Sequence, residues 1–218
     1  MHYIFSSYNY DLSDPGSIPN LFLQHLYLVS ISMLISIGIA LPVGILLSRY
    51  RKFYLPVIAI ADILYTIPGI ALIGIFMAFF NTGPAIIIIP LVLYAQLVLI
   101  RNTVAAIDTV DPLLLEVGRA MGMDARQLLL RVTLPLALPV IIAGIRIALV
   151  TSIGIATLAA LAGQGGLGTL IFSNIDSFDF DAISAGAILM AVFAIVADLL
   201  LLGIQALLSR GRKVGSLA

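Results

Sequence analysis

Five blocks of this chain are long and apolar enough to cross a lipid bilayer, at roughly residues 21–47, 55–80, 85–100, 136–161 and 182–208. A helix needs about 20 mainly apolar residues to traverse the hydrocarbon core. The third block is the shortest, and Pro84 suits the first turn of its helix, where no backbone N–H is required. Composition leaves little alternative. Hydrophobic residues fill 61% of the 218 positions and charged residues only 10%, against about 25% charged in a soluble domain. The chain is predicted to be an all-α polytopic membrane protein with five transmembrane helices.

Net charge is zero, so the placement of charge carries the information. Arg49, Arg51 and Lys52 follow the first block. Arg101, Arg119, Arg126 and Arg131 surround the connection between the third and fourth, and Arg210, Arg212 and Lys213 follow the last. With five spans these clusters share one side, which the positive-inside rule makes the cytoplasm. Asp11, Asp14, Asp176, Asp179 and Asp181 fall on the other side, with no Lys or Arg among them. The N-terminus is therefore expected outside and the C-terminus inside. Residues 1–20 read as an extracytoplasmic segment, 21–209 as the transmembrane domain, and 210–218 as a basic cytoplasmic tail. Residues 1–20 are polar and lack an early basic residue, so no cleaved signal peptide is expected.

Helices in lipid associate mainly by close packing of small residues. Ser36, Ala40, Gly44 and Ser48 form one ridge at every fourth position; Gly144, Ala148, Ser152, Ala156 and Ala160 form another. The longer ridge makes the fourth span the expected centre of packing, against its own bundle or across a subunit interface. Pro42, and Pro68-Gly69 in the second span, are expected to kink or loosen their helices. Interrupted helices often line transport pathways, so Tyr65, Ile67, Pro68 and Gly69 are pathway candidates; an inert kink is the competing reading. Three ionisable residues lie within spans: Asp62, Arg146 and Asp198. Such residues face partners or cavities, and similar depth makes Asp62–Arg146 the expected pair.

The stretch from Arg101 to Pro135 does not fit the membrane. It carries Asp108, Asp111, Glu116 and Asp124 beside four arginines. Asp111-Pro112 is a helix start, an N-cap followed by proline at the first position. Leu114, Val117, Met121 and residues 128–130 alternate with polar positions, predicting one or two amphipathic helices that bend at Gly122 and end at Pro135. Within it, Glu116-Val117-Gly118, three residues, Gly122, nine residues and Val132-Thr133-Leu134-Pro135 resemble the EAA loop of ABC-importer permeases, with Val117, Gly118 and Val132 as departures. Further stretches are similar to the osmoprotectant branch of that family. They include Gln24-His-Leu-Tyr-Leu, Tyr65-Thr-Ile-Pro-Gly-Ile-Ala-Leu, the run from Leu134 to Arg146, and Gly163-Gln-Gly-Gly-Leu-Gly168, although Pro68-Gly69 stands where that branch is expected to have Pro-Ser.

The resemblance implies a type I ABC importer transmembrane domain in a bacterial or archaeal cytoplasmic membrane. Loop 108–135 would dock a separate ATPase through Glu116, Val117, Gly118, Ala120, Gly122, Met123, Leu134 and Pro135. Implied partners are a second permease subunit (a copy or a paralogue), two ATP-binding-cassette ATPases and an extracytoplasmic binding protein. The implied cargo is a quaternary amine such as glycine betaine, carnitine or choline; methionine permeases are the next resemblance. An ion-coupled carrier using Asp62, Arg146 and Asp198 as a relay is the rival of another class.

Other chemistries find no support. A P-loop needs Gly-Lys-Ser/Thr, and Lys52 and Lys213 each follow arginine, so ATP and magnesium would be bound by the partner ATPase and no cofactor is expected in this chain. Gly163, Gly165, Gly166 and Gly168 match G-x-G-x-x-G, but that fingerprint has meaning only between a strand and a helix; an outer turn is the expected role. Cysteine is absent, and His2 and His25 do not form a metal set. No catalytic constellation is expected, and the basic residues form no nucleic-acid face.

Overall fold

The computed structural model describes residues 2–210, with side chains described for 3–209; of the expected basic tail at 210–218, all but residue 210 lies outside them. No strand occurs among the described residues. The helices are α1 (His2–Phe5), α2 (Ile18–Arg49), α3 (Tyr54–Thr66), α4 (Gly69–Phe80) and α5 (Ala85–Asp108), followed by α6 (Pro112–Ala120), α7 (Ala125–Leu128), α8 (Leu134–Ala156), α9 (Thr169–Phe172) and α10 (Phe180–Arg210). Four continuous helical stretches among the described residues are long and apolar enough to cross a membrane. A fifth passage is available if the bent pair α3–α4 counts as one span.

α5 is the central helix, packed against α2, α3, α4 and α8. Just over half of its most apolar stretch is buried, against 39% for α2. The small-residue ridges explain this arrangement and correct the expectation that the fourth span is central within its own bundle. Gly44 of α2 lies against Thr103 of α5, and Gly144 of α8 lies against the neighbouring Asn102. The two ridges thus clamp α5 from two sides, and Ser36, Ala40, Gly144, Ala148, Ser152 and Ala156 are all buried. Thr103 and Asn102 return their polar atoms to their own helix, donating to the carbonyls of Leu99 and Val98.

The second apolar block is a full break rather than a kink. Residues preceding proline are driven to extended backbone, and Ile67 adopts φ −68°, ψ 126° before Pro68. α3 and α4 meet there at 92°. The freed Ile67 carbonyl accepts a hydrogen bond from the Tyr94 hydroxyl of α5, which is how an opened backbone is tolerated in an apolar setting. α2, in contrast, runs as one helix through Pro42.

α10 stands apart. Only 6% of its most apolar stretch is buried within the chain. It packs on α8 and α9, and also meets α1.

Candidate functional site

One end of the bundle carries the amphipathic connection. The Asp111 carboxylate accepts from the Leu113 N–H at 2.8 Å, capping α6, with Pro112 in the first turn. The helix closes at Gly122, whose φ of +80° is the left-handed conformation that glycine adopts freely. Gly122 N–H donates to the Arg119 carbonyl and Met123 N–H to the Gly118 carbonyl. This pair of bonds is a Schellman closure with Gly122 at the required position. The chain restarts at once. Asp124 Oδ1 accepts from Gln127 N–H, and Gln127 Oε1 accepts from Asp124 N–H, a reciprocal capping box.

Gly118 is buried, and a Cβ there would stand 2.6 Å from Leu128 Cδ1, so the glycine that departs from the motif admits the Leu128 side chain. Leu115 and Leu134 pack on a small cluster with Ala106, Val110, Ala137 and Ile141, fixing the unit to the ends of α5 and α8. Pro135 does not end the segment. A π-helical turn over Leu129–Thr133 carries the chain straight into α8, whose first turn accommodates Pro135 without needing its N–H.

The outer surface of α6 is unusual for an exposed helix. Leu113 (62% exposed), Val117 and Met121 (66%) lie along one stripe with Leu114 and Ala120. Glu116 sits beside them, exposed and without a side-chain partner among the described residues. The same end gathers Arg49, Arg51, Asp108 and Arg119: Arg51 pairs with Asp108, and Arg49 and Arg119 border one cavity.

The intramembrane charges are paired, but not as expected. Asp62 of α3 bonds Arg101 of α5 at 2.6 Å, not Arg146. Arg146 of α8 instead grips Asp198 of α10 with two parallel bonds, Nε–Oδ1 and Nη2–Oδ2, both 2.8 Å. Its Nη1 donates to Gln205 Oε1 at 3.0 Å. Similar depth pointed to Arg146 as the partner of Asp62; rotation about the helix axes, set by packing around α5, brings Arg101 to it instead. Gln205 escaped the sequence reading, although it lies seven residues from Asp198 and so on the same helix face. Tyr94 escaped it too; its signal was a lone hydroxyl within an apolar run.

Of the pathway candidates, Tyr65 is 40% exposed and meets the Tyr94 ring edge-on at 5.5 Å. Pro68 is exposed, while Ile67 and Gly69 are half-buried, Gly69 lying close to Ile155 and Leu158 beside α8. At the other end of the bundle, the glycine-rich turn packs on the start of α2. Gly166 N–H donates to Gln24 Oε1 at 3.0 Å, and the wholly buried His25 bonds the Ile153 carbonyl at 3.1 Å. Gly163, Gly165 and Gly166 have positive φ, and Gly168 lies against the Thr157 backbone. The turn is a packed seam, not a nucleotide loop. No cluster of His, Asp or Glu among the described residues could hold a metal.

Among the described residues the chain is an all-helical bundle of apolar, membrane-length helices with one broken pair and a capped helical unit at one end. The family described as "Binding-protein-dependent transport system inner membrane component" matches residues 30–214, and the chain belongs to it. It is 40% identical to the osmoprotectant import permease protein OsmW of Salmonella typhimurium, covering 92% of this chain and 96% of that one. It is 38% identical to the glycine betaine/carnitine/choline transport system permease protein OpuCD of Bacillus subtilis, covering 91% and 87%. Among solved structures, it resembles one from the inward-facing MetNI methionine ABC transporter, with a TM-score of 0.78, 25% identity and coverage of 85% and 93%. The chain is a multi-pass permease of the type I ABC importer fold and a transport subunit, not an enzyme. Its family implies a partner permease, an ATPase and a substrate-binding protein.

Proposed function

We propose that this chain forms the translocation pathway of an ATP-driven importer of quaternary-amine osmoprotectants, such as glycine betaine, carnitine or choline. A binding protein delivers the solute at the outer face, and a separate ATPase docks on α6 and α7. The observation that carries the docking is the stripe of Leu113, Val117 and Met121, exposed on a helix capped at both ends. Exposed apolar side chains in a row on a rigid element mark an interaction site. Glu116 and the Gly122 closure set its rim and its bend. The topology that fits is N-terminus outside and C-terminus inside, with Arg49, Arg51, Arg101 and Arg119 at the docking end. The cargo assignment rests on the named roles of the relatives at 38–40% identity. The MetNI likeness favours methionine as the second cargo.

The test is uptake into proteoliposomes holding the complete transporter with its binding protein outside. Labelled glycine betaine, carnitine, choline and methionine are compared, with ATP inside. ATP-dependent uptake of a quaternary amine supports the proposal. Methionine uptake alone replaces the cargo. Uptake that persists without the ATPase and follows a proton or sodium gradient makes the protein an ion-coupled carrier instead.

A further inference from the structure

The Arg146–Asp198 pair is held at membrane depth yet is not sealed. Arg146 lies about 18 Å along α8 and Asp198 about 27 Å along α10, at 1.5 Å per residue, well inside both spans. Their side chains nevertheless keep 21% and 33% of their surface open. Charge at that depth faces water or a polar partner rather than hydrocarbon. α8 shows where the opening leads. Its buried face, Gly144, Ala148, Ser152 and Ala156, turns to the bundle. One edge presents Arg146 to α10, and the other presents Ile155 toward Gly69 at the α3–α4 break. Between those edges lies an open cavity of about 500 Å³, lined by Ala143, Arg146, Ile147, Val150, Thr151 and Asp198. Its size is that of a small-molecule site, roughly 300–1,000 Å³.

The chemistry of the lining is two-sided. A guanidinium has five N–H donors. Three are committed, to the two Asp198 oxygens and to Gln205, leaving one on Nη1 and one on Nη2. Each can donate to an anionic oxygen, a charge-assisted hydrogen bond. Asp198 retains free lone pairs and negative charge, and the methyl groups of Ala143, Ile147 and Val150 line the remainder. We propose that this cleft is a transient binding subsite for a zwitterion, a quaternary ammonium carrying a carboxylate, with the carboxylate on Arg146 and the methylated cation between Asp198 and the apolar wall. The pair needs no breaking: it tethers α10 to α8 and offers both charges at once. This inference rests on the osmoprotectant reading above and adds a place to it.

The experiment uses the complete transporter in proteoliposomes with saturating binding protein, reading the maximal rate of glycine betaine uptake. Arg146→Lys keeps the charge for Asp198 but removes the planar fork, a non-conservative change at a bidentate site, and should lower that rate about tenfold. Ile147→Trp fills the cavity while leaving both members of the pair in the sequence, and should lower it at least as much. In both, co-purification of the ATPase and the thermal midpoint of the complex report assembly. Rates within twofold of the parent in either assembled variant overturn the subsite. Arg146→Lys that fails to assemble leaves the decision to Ile147→Trp. A parent protein that carries no quaternary amine overturns the cargo proposal and this one with it. A parent that carries one, with unaffected variants, overturns this one alone.

Discussion

Gly44 on α2 offers a quantitative test of how the bundle is held. A Cβ at this position would stand 2.6 Å from Thr103 Cβ and 2.7 Å from Thr103 Cγ2. Carbon atoms rest at about 3.5 Å or more, so alanine falls short by about 0.9 Å. Rotating Thr103 could move Cγ2 but not Cβ, and the hydroxyl bond to the Leu99 carbonyl holds the rotamer. Relief must come from the backbones, which prises α2 from α5. Overpacking of this kind costs about 1–3 kcal/mol. Gly38 on the same helix has nothing within 4 Å of its Cβ position. Replacing either glycine by alanine gains about 0.5–1 kcal/mol of backbone entropy, and this gain is common to both. The difference between Gly44→Ala and Gly38→Ala therefore isolates the clash, at about 1–3 kcal/mol. Thermal unfolding of the purified complex reads it directly. At about 2–4 °C per kcal/mol for a chain of this size, Gly44→Ala should melt several degrees below Gly38→Ala. Equal midpoints, or a higher one for Gly44→Ala, would show that the α2–α5 seam is not closed by the small-residue ridge.

Three further outcomes follow from named contacts. At Gly122, where φ is +80° and no neighbour crowds the Cβ position, alanine should cost about 1–2 kcal/mol of left-handed strain and reduce ATP-driven uptake with normal insertion. Asparagine, which tolerates that region better, should retain more uptake; equal losses would detach the effect from backbone conformation. Exchanging Asp62 and Arg101 should restore whatever either single reversal loses in protein level, an effect of only about 0.2–1 kcal/mol for so exposed a pair. Exchanging Asp62 and Arg146 should not restore it, and rescue there would refute the pairing. Tyr94→Phe leaves the Ile67 carbonyl without its donor and should destabilise the break by about 1 kcal/mol, read as a lower melting midpoint. A midpoint matching the parent would mean that the carbonyl finds another donor.

The passages were legible because bilayer thickness is an external ruler. Four of the blocks coincide with continuous helical stretches long enough to cross a membrane, while the second breaks at 92° between α3 and α4. The caps were legible for a similar reason: Asp111-Pro112 and Gly122 act through neighbours within four residues. Proline 68 marked an interruption, but whether the helix bends or breaks depends on what receives the freed carbonyl. That is Tyr94, 27 residues away and on another helix. Pro135 was misread as an ending for the complementary reason. The π-helical turn over Leu129–Thr133 leads into the first turn of α8, where Pro135 needs no N–H, so the helical run continues through it.

The centre of the bundle was misplaced because small residues mark the helix that yields, not the helix that is gripped. Gly44 and Gly144 announce close approach from two different spans, while their targets, Thr103 and Asn102, are unremarkable in sequence and adjacent on α5. The charges obey the same logic. Asp198 belongs to the least buried span, and with 6% of its apolar stretch covered, α10 has little packing to fix its rotation. A bidentate bond to Arg146, extended by Gln205 one heptad on, supplies the missing constraint. A helix rotated by such a pair necessarily turns the same polar face toward the open side of α8. Tethering and presentation of charge are thus one geometric fact, so a variant that keeps the tether and fills the cavity is the one that separates them.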